Sequence, residues 1–87
     1  MSDIKQRIDR MVNELKKERD ELHVRFHLAK LEAGDEWQKL DSRLQKLEAK
    51  ARELGGATAE ASHDIGAAAK LLGEEISRGL KAIGKHL

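Results

Sequence analysis

Residues 40–56 read LDSRLQKLEAKARELGG, and this stretch decides the fold. Its apolar residues recur in steps of three and four: Leu40, Leu44, Leu47, Ala51 and Leu54. Such spacing places every one of them on the same face of an α-helix. The adjacent Gly55 and Gly56 would cost roughly 2 kcal/mol relative to alanines inside a helix. The stretch therefore predicts an amphipathic helix that is followed by a turn.

The same spacing extends outward over most of the chain. Residues 4–22 follow a heptad pattern with one charged interruption at Glu18, and residues 18–40 follow two 11-residue repeats that include Ala33. Proline, which interrupts helices, is absent from the sequence. The predicted class is all-α, built from long amphipathic helices. Its apolar seam comprises Ile4, Ile8, Met11, Leu15, Leu22, Phe26, Trp37, Leu40, Leu44, Leu47, Leu54, Ile65, Leu72, Ile76 and Ile83.

Two arrangements fit this pattern within a single helical domain of residues 1–87. One is a helical hairpin bent near Gly55-Gly56, with arms at 3–54 and 57–87. The other is one continuous helix, because the apolar register survives across the glycines. We favour the hairpin, since glycine pairs mark turns, and expect at least one of the two in a left-handed backbone conformation. Gly34-Asp35 could end one helix and cap a new one, with Gln38 at the capping-box position. Because the apolar register crosses it without loss, we expect only a kink inside the first arm.

The hairpin arms differ in length, and this predicts self-association. At 1.5 Å per residue the first arm would be about 77 Å long and the second about 46 Å. The apolar residues at the start of the first arm would find no partner within the chain: Ile4, Ile8, Met11 and Leu15. An exposed apolar stripe of this length favours association. We therefore expect a dimer or tetramer, assembled as a coiled coil or four-helix bundle.

Small residues distinguish the second arm from the first. They form a stripe beside the main seam at Ala59, Ser62, Gly66, Ala69 and Gly73. Glycine on a solvent-exposed helix face only destabilises the helix, whereas at a helix contact it permits close backbone approach. The second arm is therefore expected to contact helices on two sides.

Composition excludes several function classes. The formal net charge is +1 and charged residues make up 38% of the chain, without the excess of basic charge that nucleic-acid binding requires. Cysteine is absent, which removes disulfides and thiolate chemistry. No stretch approaches the ~20 apolar residues needed to span a bilayer. The first residues lack the apolar run of a secretory signal, so a cytoplasmic location is expected.

Three strings of the sequence resemble a group of small bacterial all-helical, coiled-coil proteins of unassigned function. They are the run from Arg19-Asp20-Glu21-Leu22 to Leu28-Ala29-Lys30, then Asp35-Glu36-Trp37, and Gly66-Ala67-Ala68-Ala69-Lys70-Leu71-Leu72. The resemblance would cover most of the chain. It implies an all-helical fold, and it implies neither catalytic residues nor a ligand.

Candidate chemistry is sparse. His23 and His27 stand four residues apart and could present two imidazoles to zinc or copper, with further ligands from a second chain. The favoured alternative is two solvated histidines that flank core residues. No catalytic residues are predicted, because no nucleophile elbow or phosphate-binding loop is present. The chain is therefore predicted to be no enzyme and to use no cofactor.

A lipid surface is the main alternative partner. One face of the second arm is apolar: Ile65, Ala69, Leu72, Ile76, Leu80, Ile83 and Leu87. Lys70, Arg78, Lys81 and Lys85 flank the other face, as in surface-seeking amphipathic helices, although Glu74 and Glu75 cancel much of that charge. The sequence thus favours a self-associating interaction or scaffold protein, with an unidentified protein partner, over membrane-surface binding through residues 57–87.

Overall fold

The chain is almost wholly helical, as predicted. The computed structural model describes residues 2–30 and 34–86, and the register positions Ala33 and Leu87 lie outside these ranges. Within them there is no strand. Three α-helices occupy the described ranges: α1 (Ser2–Leu28), α2 (Gly34–Leu54) and α3 (Ala59–Gly84). The all-α prediction is confirmed.

The first chain reversal lies between Leu28 and Gly34, where the sequence predicted only a kink in a helix from 3 to 54. That prediction is wrong. Lys30 has a φ of 57°, a left-handed conformation in which a right-handed helix cannot continue. Its N–H donates to the His27 carbonyl oxygen at 3.1 Å, which satisfies one of the last carbonyls of α1.

The contact between Phe26 and Trp37 shows that α1 and α2 lie side by side after this reversal. Their ring centroids lie 5.5 Å apart in an edge-to-face arrangement. In a continuous helix, residues 11 positions apart would be separated by about 16 Å along the axis. The two 11-residue repeats over residues 18–40 are therefore distributed over two antiparallel helices rather than one.

The second reversal lies at Gly55-Gly56, as the hairpin prediction requires. The expected left-handed glycine is absent, however, since none of the glycines in the described ranges has a positive φ. Hydrogen bonds of the i to i+3 type tighten the end of α2, and the last joins the Ala57 N–H to the Leu54 carbonyl oxygen at 3.5 Å. Thr58 then caps α3, its Oγ1 accepting from the Ala61 N–H at 3.2 Å.

The three helices run up, down and up, so that α1 and α3 are parallel. α2 runs antiparallel to α3, since Leu40 near its start faces Gly79 near the end of α3. The molecule is a rod with principal extents of 46 × 18 × 16 Å. Three pairs, each separated by 62 positions, align α1 with α3: Ile4 with Gly66, Met11 with Gly73, and Leu22 with Gly84.

The predicted seam residues form one hydrophobic core within the single chain. Ten of them are buried, and the other five pack against that core while partly exposed: Ile4, Met11, Leu22, Ile65 and Leu72. The core also includes Val12, Ala51, Ala69 and Leu80, which the seam omitted. The premise that the N-terminal stripe has no intrachain partner is therefore wrong, because α1 folds back beside α3. Glu18, the charged interruption, is exposed.

Candidate functional site: the groove between α1 and α3

Glycines of α3 make room for side chains of α1. A Cβ added at Gly66 would lie 2.9 Å from Cγ2 of Ile4, and one added at Gly73 would overlap Sδ of Met11. Both distances are shorter than van der Waals contact, so only glycine fits without movement of the neighbour. α3 contacts α2 as well as α1. The predicted two-sided contact of this arm is confirmed, with both neighbours supplied by the same chain.

Beside this contact an open groove of about 390 Å³ runs between the first turns of α1 and α3. Its floor is apolar because the small residues Gly66 and Ala67 leave the side chains of Ile4 and Met11 partly uncovered. Ile8 is buried there, whereas Ile4 and Met11 are partly exposed. The groove is lined by Ile4, Arg7, Ile8 and Met11 from α1 and by His63, Gly66, Ala67 and Lys70 from α3.

The rim of this groove is cationic on both sides. Arg7 stands on the α1 side and Lys70 on the α3 side, where the imidazole of His63 also lies; all three residues are exposed. Neither Arg7 nor Lys70 forms an ion pair with another residue of the described ranges. No carboxylate is among the lining residues that the structure describes. The groove therefore carries local positive charge although the whole chain is nearly neutral.

The opposite end of the same helix pair has a different electrostatic character. A smaller depression of about 210 Å³ lies there over Leu22 and Leu80. Two acidic and two basic residues surround it: Glu18, Glu21, Arg25 and Lys81. Opposite charges balance at this end, whereas the described lining of the groove near Ile4 contains cations and no carboxylate.

Arg19 and Asp41 join α1 to α2 on the outside of the bundle. Nε and Nη2 of Arg19 donate to Oδ1 and Oδ2 of Asp41, each at 2.9 Å. The pKa of Arg19 is raised chiefly by these hydrogen bonds to Asp41, with a smaller contribution from its bond to Asp20. Because arginine is already charged at every physiological pH, the pair is a constant structural link rather than a pH-sensitive switch.

The candidate metal ligands His23 and His27 are both exposed on α1. His23 packs edge-to-face on Trp37, with ring centroids 5.1 Å apart. Within the described ranges no group of three metal-ligating side chains is close enough together to hold an ion. His23 thus has a packing role against Trp37, and metal binding by the two histidines stays a prediction.

The apolar face proposed for lipid binding is turned inward. Ala69, Ile76, Leu80 and Ile83 of α3 are buried in the core, and Leu71 is the large apolar side chain that α3 exposes. Among the helices in the described ranges, none combines the length and apolar character of a membrane-crossing segment.

Sequence reasoning did not bring the groove residues together. Lys70 had been assigned to the flank of a lipid-binding helix, and Arg7 and Ala67 had no assigned role. Their proximity depends on the 62-residue alignment of α1 with α3, which exists only because the chain reverses after Leu28. The available signal was the glycine spacing of α3, at Gly66 and Gly73, which marks the contact face for α1.

No known protein family matches this chain, and no curated protein or solved structure is significantly similar to it.

Proposed function

We propose that this chain is a non-enzymatic interaction module that binds another protein in the groove between α1 and α3. The observation that carries the proposal is an apolar floor left open beside Arg7 and Lys70, two cations that pair with no other residue of the described ranges. A concave apolar surface with a few polar groups at its edge is the usual form of a recognition site. Its lining extends over about two turns of each helix, which suits a segment that lies along the helices.

The lining of the groove supports a binding role over catalysis. Its reactive side chain is the imidazole of His63, and no carboxylate, hydroxyl or thiol among the described lining residues stands with it. General acid–base and nucleophilic catalysis both depend on such a partner at hydrogen-bond distance. We therefore assign the groove to recognition without bond making, and no cofactor is part of the proposal.

Self-association remains a prediction, now with a different basis. The apolar stripe that motivated it is covered within the chain by α3. A dimer or tetramer would have to form through the outer surface, where Val24, Leu28 and Leu71 are the exposed large apolar residues. The cytoplasmic location also stays a prediction.

Lipid binding is the weaker candidate. Its apolar face contains Ile76 and Ile83, which are almost fully buried. α3 would have to leave both other helices before that face could meet a membrane. The loss of the core would oppose this opening, since each buried isoleucine or leucine contributes about 1.5–3 kcal/mol.

Site-specific photo-crosslinking in cells that express the chain tests the proposal. A benzophenone amino acid replaces Ala67 in the groove or, as a matched control, the exposed Ser42 on α2, which lies in a polar depression. Position 67 is expected to give a discrete crosslinked protein that position 42 does not give. Equal products from both positions, or none from position 67, would contradict the proposal.

A further inference from the structure

We infer that the groove between α1 and α3 binds an acidic amphipathic helix of the partner protein. This inference rests on the proposed function and adds the chemistry of the bound segment. On the α1 side the floor residues are Ile4, Ile8 and Met11, at spacings of four and three. They form a straight apolar row of about 10 Å along the helix axis. A partner helix fills such a row with apolar residues at matching spacing.

Charge decides which helix fits best. Arg7 on α1 and Lys70 on α3 stand on opposite sides of the floor, so a helix in the groove meets positive charge along both edges of its apolar stripe. Acidic residues on both edges would pair with these side chains, whereas lysines there would be repelled. Neither cation is paired with another described residue, so both side chains are available to carboxylates of a bound helix.

The shape of the groove favours a helix over a bilayer. Ile8 is only 6% exposed, at the bottom of a concave surface between two helices. A flat membrane would contact the rim residues Arg7 and Lys70 and would leave this floor uncovered. A helix that lies along the groove can instead project apolar side chains from its axis toward the partly exposed Ile4 and Met11.

The test uses two synthetic helical peptides of 18 residues as probes. They share one leucine stripe and carry either glutamates or lysines on its flanks. Binding to the isotope-labelled chain is followed by amide chemical shifts, first for the unchanged protein. The variants are Lys70→Glu and, as a control with the same charge change, Lys39→Glu on the exposed surface of α2.

The glutamate peptide is expected to bind about tenfold more tightly than the lysine peptide and to shift amides of residues 3–11 and 63–70. Lys70→Glu should weaken its binding about tenfold, whereas Lys39→Glu should change it by less than about twofold. Equal binding of both peptides would overturn the inference about charge and would leave the proposed function standing. Failure of both peptides, together with no crosslink from position 67, would overturn the inference and the proposed function together.

Two further experiments test whether the groove binds a different occupant. Anionic phosphatidylglycerol vesicles that shift the same amides, when the glutamate peptide does not, would assign the groove to lipid and overturn the inference. The second experiment measures the sedimentation of the chain alone. A dimer that Lys70→Glu dissociates, and Lys39→Glu does not, would assign the groove to a second copy and likewise overturn it.

Discussion

Two faces of α3 differ in composition. The face that contacts α1 contains glycines, and the face that contacts α2 contains mainly large aliphatic side chains. The α1 side contains Gly66, Gly73 and Gly84. Helical spacing places Ile65, Leu72 and Ile83 on the face of Gly79, whose missing Cβ points at Leu40 of α2. In the first contact, side chains of α1 fill the space that the glycines leave, and in the second, large apolar side chains of both helices are buried. This difference explains why a groove remains beside α1, since glycine leaves nothing to cover its floor.

The largest effect is expected where the large side chains meet. Leu47 of α2 has no exposed surface. Leu47→Ala should lower the free energy of unfolding by about 3 kcal/mol, because it removes buried methyl groups and leaves a cavity. Urea denaturation measures this change. The control Leu71→Ala, at a leucine that is 62% exposed, should change stability by less than about 0.5 kcal/mol. Similar losses for both variants would refute the assignment of the core.

The glycine contact is tested by a double-mutant cycle at Gly73 and Met11. Gly73→Ala gains about 1 kcal/mol of helix propensity, but its Cβ would displace Met11. In a Met11→Ala background the space is open and the full gain should appear. The coupling free energy is therefore expected to be about 1–2 kcal/mol.

A second cycle provides the control for that coupling. At Gly84 an added Cβ would lie 3.8 Å from Cδ1 of Leu22, which is an ordinary contact. Gly84→Ala should change the free energy of unfolding by nearly the same amount with and without Leu22→Ala. A coupling at Gly73 no larger than that at Gly84 would show that α1 does not lie against this face.

The two chain reversals also differ, and smaller changes in stability are expected from substitutions there. The first uses a lysine in a left-handed conformation, at Lys30, which glycine adopts at lower cost. Lys30→Gly should raise the free energy of unfolding by about 1 kcal/mol. Lys30→Ala should not stabilise the chain, because alanine resists the same backbone angle. Thermal melting of the two variants checks this, and equal melting temperatures would argue against the left-handed residue.

The smallest effect is expected at the second reversal. Gly56 has no positive φ, and a Cβ added there would meet no atom within 4 Å. Gly56→Ala should therefore stabilise the fold by about 0.4–1 kcal/mol, by restricting the unfolded chain. A loss of stability in chemical denaturation would indicate a strained glycine at this turn.

The sequence predicted the parts of the fold that local patterns specify. Leu40 to Leu54 repeat at helical spacing, and Gly55-Gly56 interrupts helix propensity, so α2 and the turn after it were predictable. The first reversal was not predicted, because the apolar register crosses Gly34-Asp35 without interruption and Lys30 carries no glycine-like signal for a left-handed conformation. The spacing of Phe26 and Trp37 also fits three turns of one helix as well as it fits two helices in contact.

The candidate site was less predictable than the core. The core residues keep their apolar character whichever helix they face, so a periodic pattern finds them. The groove instead requires Arg7 and Lys70 to be neighbours, although 63 positions separate them in the chain. That proximity follows from the parallel pairing of α1 with α3, and no local pattern specifies a pairing between distant segments.

The distance between positions 7 and 70 tests the three-helix arrangement most directly. Arg7→Cys and Lys70→Cys introduce two spin-label sites into a chain without cysteine, and pulsed electron double resonance measures their separation. Packed helix axes lie about 8–10 Å apart, so the labels should be separated by roughly 20 Å, unchanged when unlabelled protein is added in excess. With one helix over residues 3–54, position 7 would lie about 70 Å from the turn and position 70 about 20 Å from it. A separation of about 50 Å within the chain, or a short distance that unlabelled protein abolishes, would contradict the folding of α1 onto α3.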